Sequence, residues 1–174
     1  MQRSSLGQTE LSFRWCPKVE LTNRTVNRVS PLRHLFVFKL CDEEFAVELS
    51  CVREVHPYAE PFPIPCPPPY ISGVMNLRGR AVPVVDLKAL LGVRCSCEPY
   101  RIVVVEVEGC EFIFAIDSQG EDMLVPQDAI QQPPPSLPEQ YRQLVIGIIS
   151  LCGRTITLLD LHPSHLWGDK STAG

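Results

Sequence analysis

Residues 71–87, ISGVMNLRGRAVPVVDL, have the pattern of a β-hairpin. Apolar residues lie on both sides of Arg78-Gly79-Arg80, and the second run is rich in valine, so a glycine-centred turn is expected to join two strands. Residues 145–161, VIGIISLCGRTITLLDL, repeat this pattern without a gap at an offset of 74 residues (145 − 71). The offset pairs Gly73 with Gly147, Leu77 with Leu151, Gly79 with Gly153, Arg80 with Arg154 and Asp86 with Asp160. A duplicated hairpin predicts duplicated β-barrels.

A second hairpin precedes each copy of the first. Residues 35–40, LFVFKL, predict a strand that turns at Cys41-Asp42-Glu43 and returns through residues 44–49. Residues 101–116 repeat this order, with a turn at Glu108-Gly109-Cys110. Each half of the chain therefore contains an opening hairpin, a connector, a closing hairpin and an Asp-Leu pair, which predicts a mainly all-β fold.

The repeats divide the chain into predicted domains. We expect one subdomain at about residues 34–92 and a second at about residues 93–166, followed by a tail at residues 167–174. Residues 1–33 are polar and net basic, which predicts a flexible extension, although an Arg-rich segment also suits a transit peptide. Residues 56–70 contain seven prolines and predict a stiff surface crossing, or alternatively a ligand for an aromatic-groove domain.

The two aspartates that end the closing hairpins have predicted local roles. Asp86 is expected to be the N-cap of a short helix at residues 87–91, with Gly92 as its left-handed end. Asp160 is expected to cap the stretch up to Trp167 in the same way. A symmetric pair of carboxylates would also suit acid–base catalysis, but capping accounts for both, so we expect no catalytic residue.

The charge of the chain limits the class of partner. The net charge is −4, and the chain after Arg33 carries 10 basic against 18 acidic side chains. Sequence-independent binding of nucleic acid needs clustered Lys and Arg, so it is not expected of this acidic part. No run approaches the roughly 20 apolar residues of a membrane span, and the N-terminus lacks an apolar signal core, so we expect a cytoplasmic protein without membrane insertion.

The eight cysteines are expected to be reduced thiols, because no export signal accompanies them. No CxxC pair occurs, so neither a metal site nor a cofactor is expected. His162 and His165 have the spacing of metal ligands but lie on either side of Pro163, and we interpret them as surface residues. The common phosphate, dinucleotide and hydrolase motifs are absent. An enzyme using Cys95, Cys97 and the histidines is the alternative from another functional class.

The tip of the first closing hairpin is the main candidate for a binding surface. Asn76, Arg78 and Arg80 crowd a turn for which Asn or Gly alone would suffice, and an Arg guanidinium suits bidentate contacts with carboxylates of a partner. The alternative is that Arg78 forms an internal ion pair with an acidic neighbour such as Glu54. Both interpretations stay open at this point.

These motifs together resemble one known family. ISGVMNLRGRAVPVVDL, the opening FVFKLCDEEFAVEL and Val52-Arg53-Glu54-Val55 are similar to the CheW-like coupling domains of bacterial chemotaxis, over about residues 34–161. The resemblance implies two tandem five-stranded SH3-like β-barrel subdomains with short helices. It also implies a non-enzymatic scaffold that joins the cytoplasmic tips of methyl-accepting chemoreceptors to the regulatory domain of a CheA-type histidine kinase, within membrane-receptor arrays.

The same resemblance assigns roles to individual residues. Receptor or kinase contacts, or the residues that support them, are expected at Val52, Glu54, Asn76, Leu77 and Arg78. Backbone requirements are expected at Gly73, Gly79, Gly147 and Gly153. The proline-rich crossing, Pro163 and the basic N-terminal segment depart from the family pattern. These departures leave a coupler in a related pathway, controlling pili or second-messenger output, as the alternative.

Overall fold

The computed structural model describes residues 30–167, which form eleven β-strands and three short α-helices. The strands are β1 (Leu32–Leu40), β2 (Glu43–Glu48), β3 (Val52–Pro57), β4 (Ile71–Leu77), β5 (Arg80–Val85), β6 (Arg101–Val107), β7 (Cys110–Ile116), β8 (Glu121–Pro126), β9 (Ile130–Gln131), β10 (Val145–Leu151) and β11 (Arg154–Leu159). The helices are α1 (Leu87–Leu91), α2 (Glu139–Arg142) and α3 (Pro163–Trp167), with 3-10 turns at Leu49–Cys51 and Gln127–Ala129. The mainly all-β prediction is confirmed, and none of the described helices is long and apolar enough to cross a membrane.

Strand β1 begins earlier than the sequence predicted. Leu32 and Arg33 fall in the predicted extension, but they pair with Pro126 and Val125 of β8, and Arg33 also forms an ion pair with Glu48. Pairing with β8, which is distant in sequence, extends β1 to residues before the apolar run from which the strand was predicted. Ser30 and Pro31, which also belong to the predicted extension, are described. Residues 1–29 of the extension and the tail after residue 167 lie outside the described residues.

Each of the two sheets contains strands of both sequence repeats. One sheet has the order β8-β1-β2-β11-β10-β9, and the other has the order β3-β6-β7-β5-β4. The opening hairpin β1–β2 of the first repeat therefore joins the closing hairpin β10–β11 of the second, while β6–β7 joins β4–β5. The predicted division near residue 92 separates the sequence repeats, but in space the repeats exchange their opening hairpins.

Two parallel strand pairs make this exchange. β11 runs parallel to β2, and β5 runs parallel to β7. Leu158 lies opposite Ala46 in the first junction, and its repeat equivalent Val84 lies opposite Ile113 in the second. The duplication in the sequence is therefore also an internal pseudo-symmetry of the fold, with equivalent residues meeting at both junctions.

The opening hairpins are apolar on both faces because they lie between two layers of side chains. Alternate residues of β1 and β2 face the interior of the six-stranded sheet, where the buried cluster includes Leu35, Val37, Ala46, Ile149, Ile156 and Leu158. The intervening residues face a larger core shared by both sheets, which includes Phe36, Phe38, Leu40, Val103, Val105, Phe112 and Phe114. Strands buried on both faces appear as continuous apolar runs, which explains LFVF in β1 and IVVV in β6.

The prediction that the cysteines are all reduced was wrong. Cys41, in the turn between β1 and β2, forms a disulfide with Cys95, and their Cα atoms lie 6.2 Å apart. Cys95 belongs to the connector between α1 and β6, and 54 residues separate the two in the sequence. Only the folding of this connector against the β1–β2 turn brings them together. Among the described residues, Cys51, Cys66, Cys97 and Cys110 are free thiols.

Phe38 provides a test of the shared core. Its side chain is fully buried, and its ring centroid lies 5.2 Å from that of Phe114 in the other sheet. Phe38→Ala is expected to lower the free energy of unfolding by about 3–5 kcal/mol, because it leaves a cavity where the sheets meet. Urea unfolding followed by circular dichroism measures the change.

Phe62→Ala is the matched control, because the Phe62 side chain is 67% exposed. Its free energy of unfolding is expected to change by less than about 0.5 kcal/mol. Similar losses in the two variants would contradict the assignment of Phe38 to a core shared by both sheets.

Candidate functional site

Asn76 and Gly79 shape the tip of the β4–β5 hairpin. Arg78 and Gly79 have φ values of 51° and 81°, and a two-residue turn of type I′ requires positive values at both positions. The side-chain oxygen of Asn76 accepts a hydrogen bond of 2.9 Å from the Gly79 N–H. Asn76 is thus engaged in closing the turn, and Arg78 is left to project from it.

Arg78 belongs to a hydrogen-bonded group of three residues at the edges of the five-stranded sheet. Its guanidinium donates a hydrogen bond to Glu54 on β3, and the other carboxylate oxygen of Glu54 lies 2.7 Å from Nε2 of His56. Because β3 and β4 are the two outer strands of this sheet, the ion pair connects its opposite edges. The contact is therefore part of the closure of the sheet on itself.

Both interpretations of Arg78 are compatible with this geometry. The internal ion pair with Glu54 is present, yet the Arg78 side chain is 71% exposed, against 24% for Glu54. A guanidinium carries five N–H donors in a rigid plane, so one contact with Glu54 orients it and leaves further donors facing solvent. We call Glu54, His56 and Arg78 the charged tip.

Val52 and Leu77 have packing roles beside the charged tip. Val52 begins β3 and is partly buried against the shared core, and Leu77 ends β4 and is partly buried against the interior of the five-stranded sheet. Both side chains hold the strands that carry Glu54 and Arg78. Of the five residues expected at the site, the structure brings Glu54, Asn76 and Arg78 to the tip region.

Sequence reasoning missed His56 and three exposed apolar side chains of β3 and the following segment. Val55, Tyr58 and Phe62 are exposed along β3 and the segment that follows it. Two backbone hydrogen bonds of 2.8 and 2.9 Å join Phe62 to Val74 of β4, so this segment is fixed along the edge of the sheet. The available signal was the presence of Tyr and Phe in the proline-rich crossing, since a simple spacer needs no aromatic residues.

The glycines of the two closing hairpins have two structural roles. A Cβ atom on Gly73 would overlap the carbonyl group of Phe62, and one on Gly147 would overlap the side chain of Ile130, so both permit a crossing segment to approach closely. Gly79 and Gly153 instead occupy left-handed turn positions, with φ values of 81° and 75°. Equivalent glycines of the two repeats thus have the same structural role.

The two aspartates at the ends of the closing hairpins differ in what they cap. Asp86 is the N-cap of α1 and accepts a 3.0 Å hydrogen bond from the Ala89 N–H, and Gly92 ends the helix with a φ of 63°. Asp160 accepts a hydrogen bond of 3.0 Å from the His162 N–H, ahead of α3, which begins at Pro163. Proline suits the first helical position, so α3 starts later than the sequence predicted.

Arg80 and its repeat equivalent Arg154 each contact the opening hairpin of the other repeat. Arg80 pairs with Glu111, and Arg154 donates to both carboxylate oxygens of Glu44 at 2.9 and 2.7 Å and also pairs with Glu121. The hydrogen bonds from Arg154 hold the pKa of the Glu44 carboxyl below its ordinary value of 4.5. Arg80 therefore belongs to the junction between hairpins and is separate from the charged tip.

His162 and His165 are both engaged by carboxylates near the end of the described chain. His162 Nε2 lies 2.8 Å from a carboxylate oxygen of Glu108, and His165 Nδ1 lies 3.5 Å from one of Asp160. Their ring centroids are 5.5 Å apart, and both side chains are partly exposed. The arrangement is that of surface ion partners.

Known proteins are similar to this chain over most of its length. A family model described as CheW-like domain matches residues 34–164. The chemotaxis protein CheW of Rhizobium meliloti is 32% identical over 144 residues, covering 81% of this chain and 92% of that protein. The probable chemotaxis protein CheW of Rhizobium etli is 32% identical over 131 residues, covering 74% of this chain and 84% of that protein.

A solved structure has the same fold. The crystal structure of the scaffolding protein TtCheW from Thermoanaerobacter tengcongensis matches with a TM-score of 0.67 and 30% sequence identity, covering 75% of this chain and 90% of that one. The prediction of two tandem SH3-like barrels is confirmed, with the difference that one sheet has six strands because it includes the short β9.

The ion pair between Arg154 and Glu44 predicts a pH-dependent stability. Because the pKa of Glu44 is lowered in the folded state, the pair contributes fully above pH 4.5 and its contribution is lost as the pH falls through the lowered value. Arg154→Met is expected to lower the free energy of unfolding by about 1–3 kcal/mol at pH 7, since both carboxylates lose a partly buried partner.

The difference in unfolding free energy between the wild type and Arg154→Met should therefore shrink below pH 4.5. Denaturant titrations at pH 7 and at pH 3.5 or below measure both values. Arg53→Met is the control, because the Arg53–Glu106 pair is largely exposed, and its effect is expected to stay under about 0.5 kcal/mol. A difference for Arg154→Met that does not depend on pH would refute the role of Glu44.

Proposed function

The chain belongs to the CheW-like domain family, and from this membership we propose that it couples methyl-accepting chemoreceptors to a CheA-type histidine kinase. It is a non-enzymatic scaffold of the chemotaxis class. In this proposal the protein acts in the cytoplasm, at the receptor arrays, and contacts the cytoplasmic tips of the receptors and the regulatory domain of the kinase.

The observation that carries the proposal is the exposed guanidinium of Arg78, which the Asn76 turn and the ion pair with Glu54 hold at the tip of the β4–β5 hairpin. Val55, Tyr58 and Phe62 offer apolar area for burial, which supplies most of the binding free energy in protein interfaces. Arg78 offers directional hydrogen-bond donors, and a charge in an interface sets register and specificity more than affinity. The combination suits a protein partner whose surface is apolar with an acidic group at its edge.

Val52, Glu54, Asn76, Leu77 and Arg78 take distinct parts in this proposal. Arg78 contacts the partner, Glu54 orients the guanidinium, and Asn76 keeps the turn in the conformation that presents it. Val52 and Leu77 support the two strands from within. A single contact of this kind is expected to have modest affinity, but many copies in an array bind with higher overall avidity through multivalency.

A second candidate belongs to the same class and differs only in the pathway. The proline-rich crossing at residues 56–70 is the feature that favours a coupler acting on pili or second-messenger output, because it departs from the family pattern and contains the exposed Tyr58 and Phe62. Capture of native partners by the tagged protein, followed by mass spectrometry of the bound receptor and kinase, distinguishes these pathways.

Arg78→Glu tests the proposed contact. In vesicles that contain receptor and kinase, the variant is expected to lower receptor-dependent kinase activity and co-sedimentation by about tenfold or more, since a like charge would meet the acidic partner group. Arg53→Glu is the matched control, because Arg53 is also exposed and ion-paired on β3 but is not part of the charged tip. It should keep coupling near the wild-type level.

The charge-swapped double variant Arg78→Glu with Glu54→Arg separates recognition from structure. The double variant restores an ion pair between β3 and the hairpin tip. It leaves a negative charge at position 78, where the wild type has a positive one. Coupling is expected to stay low although the thermal stability recovers. If coupling returned together with stability, Arg78 would act only inside the protein, and the proposed contact would be wrong.

A further inference from the structure

Four side chains with metal-binding atoms meet where the connector after α1 crosses the β1–β2 turn. Cys41 lies in that turn, Cys95 and Cys97 lie in the connector, and Asp117 follows β7. Their three sulfur atoms and one carboxylate oxygen all lie within 4.8 Å of one another. The cluster is remote in sequence from the charged tip and takes no part in the proposed coupling contact.

Asp117 is a buried member of this cluster with one carboxylate oxygen unpaired. Its side chain is only 5% exposed. One carboxylate oxygen, Oδ2, accepts a 2.7 Å hydrogen bond from the Cys41 N–H and lies 2.8 Å from the Lys88 ammonium. The other, Oδ1, is buried without a hydrogen-bond partner. A buried carboxylate oxygen without a donor is costly, and a cation at this position would remove the cost.

We propose that Cys41, Cys95, Cys97 and Asp117 bind one zinc ion when the thiols are reduced. Three thiolates and one carboxylate are a suitable tetrahedral ligand set for Zn²⁺, with Zn–S distances of about 2.3 Å and Zn–O distances of about 2.0–2.2 Å. Sulfur atoms around such an ion lie about 3.8 Å apart, so the Cys41 and Cys95 sulfur atoms must separate on reduction, within a cluster whose ligand atoms already lie within 4.8 Å of one another.

Charge and hydrogen bonding also suit this ligand set. The three thiolates and the carboxylate carry four negative charges, and Zn²⁺ together with the Lys88 ammonium offsets three of them. Lys88 also donates a hydrogen bond of 3.1 Å to the carbonyl oxygen of Cys97. This second contact holds the connector in place, so Lys88 positions two of the ligands without binding the metal itself.

The Cys41–Cys95 disulfide and the zinc site exclude each other, because both use the same two sulfur atoms. With hydrogen peroxide as the oxidant, the thiolates of Cys41 and Cys95 transfer one electron pair to the peroxide. The S–S bond forms, the O–O bond breaks, and two hydroxide ions leave, which take up two protons from the buffer and become water. Zn²⁺ is released with its charge unchanged. The site thus has a metal-bound reduced state and a metal-free oxidised state.

The disulfide connects the β1–β2 turn with the connector, and bound zinc would add the end of β7 to this link. The cluster joins the β1–β2 turn of the six-stranded sheet to the end of β7 in the five-stranded sheet through the connector. The backbone already links these ends, since the Asp117 N–H donates to the Lys39 carbonyl at 2.9 Å. Zinc is therefore expected to stabilise the contact between the sheets when no disulfide is present, as a structural ion.

Zinc content of the reduced full-length chain tests the proposal. The protein is treated with a phosphine reductant, mixed with zinc chloride, desalted and measured by plasma mass spectrometry. We expect about one zinc per chain, as for a closed structural site. Cys97→Ser and Asp117→Asn are expected to weaken zinc affinity by about tenfold or more, measured by competition with a chromophoric chelator.

Cys110→Ser is the control, because Cys110 is an exposed free cysteine outside the cluster. It should keep the zinc affinity of the wild type. Cys97→Ser leaves the Cys41–Cys95 pair intact, so this variant can fold in either redox state, and circular dichroism verifies that it does. Wild-type protein that retains no zinc, or ligand variants that bind zinc as tightly as the control, would overturn the proposal.

Cobalt and peroxide provide two further readouts. Cobalt(II) in place of zinc should give thiolate-to-metal charge-transfer absorption that weakens in Cys97→Ser, and its absence would overturn thiolate ligation. Peroxide is expected to release zinc from the loaded protein. At the same time, mass spectrometry of the intact chain should show the loss of two hydrogen atoms. Zinc retained after the Cys41–Cys95 disulfide has formed would refute the exclusive states. None of these measurements involves receptor or kinase, so they stand apart from the test of coupling.

Discussion

Each opening hairpin is hydrogen-bonded to the closing hairpin of the other repeat, through the parallel pairs β2–β11 and β5–β7. Neither sequence repeat can complete a sheet from its own strands, so the two modules depend on each other. The apolar character of the opening hairpins on both faces follows from this exchange, because one face lines a barrel and the other faces the shared core. Contacts between such distant segments require closure of long loops, so both repeats must fold together.

Charged pairs reinforce the same exchange at equivalent positions of the two repeats. Arg80 and Arg154 occupy equivalent positions, and each pairs with the equivalent glutamate of the other repeat, Glu111 or Glu44. The hairpin tips differ, because the position of Arg78 in the first repeat is taken by Cys152 in the second. Both repeats therefore have the same ion pair at the junction, while the exposed guanidinium of Arg78 is found at the tip of the first closing hairpin and has no equivalent at the tip of the second.

The connector between the repeats also contributes side chains to a cluster at the contact between the two sheets. It follows the end of α1 at Gly92, and it brings Cys95 and Cys97 to the β1–β2 turn, next to the buried Asp117. Lys88 of α1 contacts both Asp117 and the connector, so the short helix also positions this cluster. A covalent or metal link at this place acts on the contact between the two sheets, at a distance along the chain from the charged tip.

Local patterns in the sequence were sufficient for the hairpins, their duplication, the Arg78-Gly79 turn and the capping of α1 by Asp86, because each depends on residues only a few positions apart. The family resemblance added the coupling role. Tertiary structure alone decided that the opening hairpins are exchanged, that β1 starts at Leu32, that His56 joins Glu54 and Arg78, and that Cys41 meets Cys95. The physical reason is that strand pairing and side-chain contacts between distant segments depend on how the whole chain packs, and such packing leaves no periodic pattern in either segment by itself.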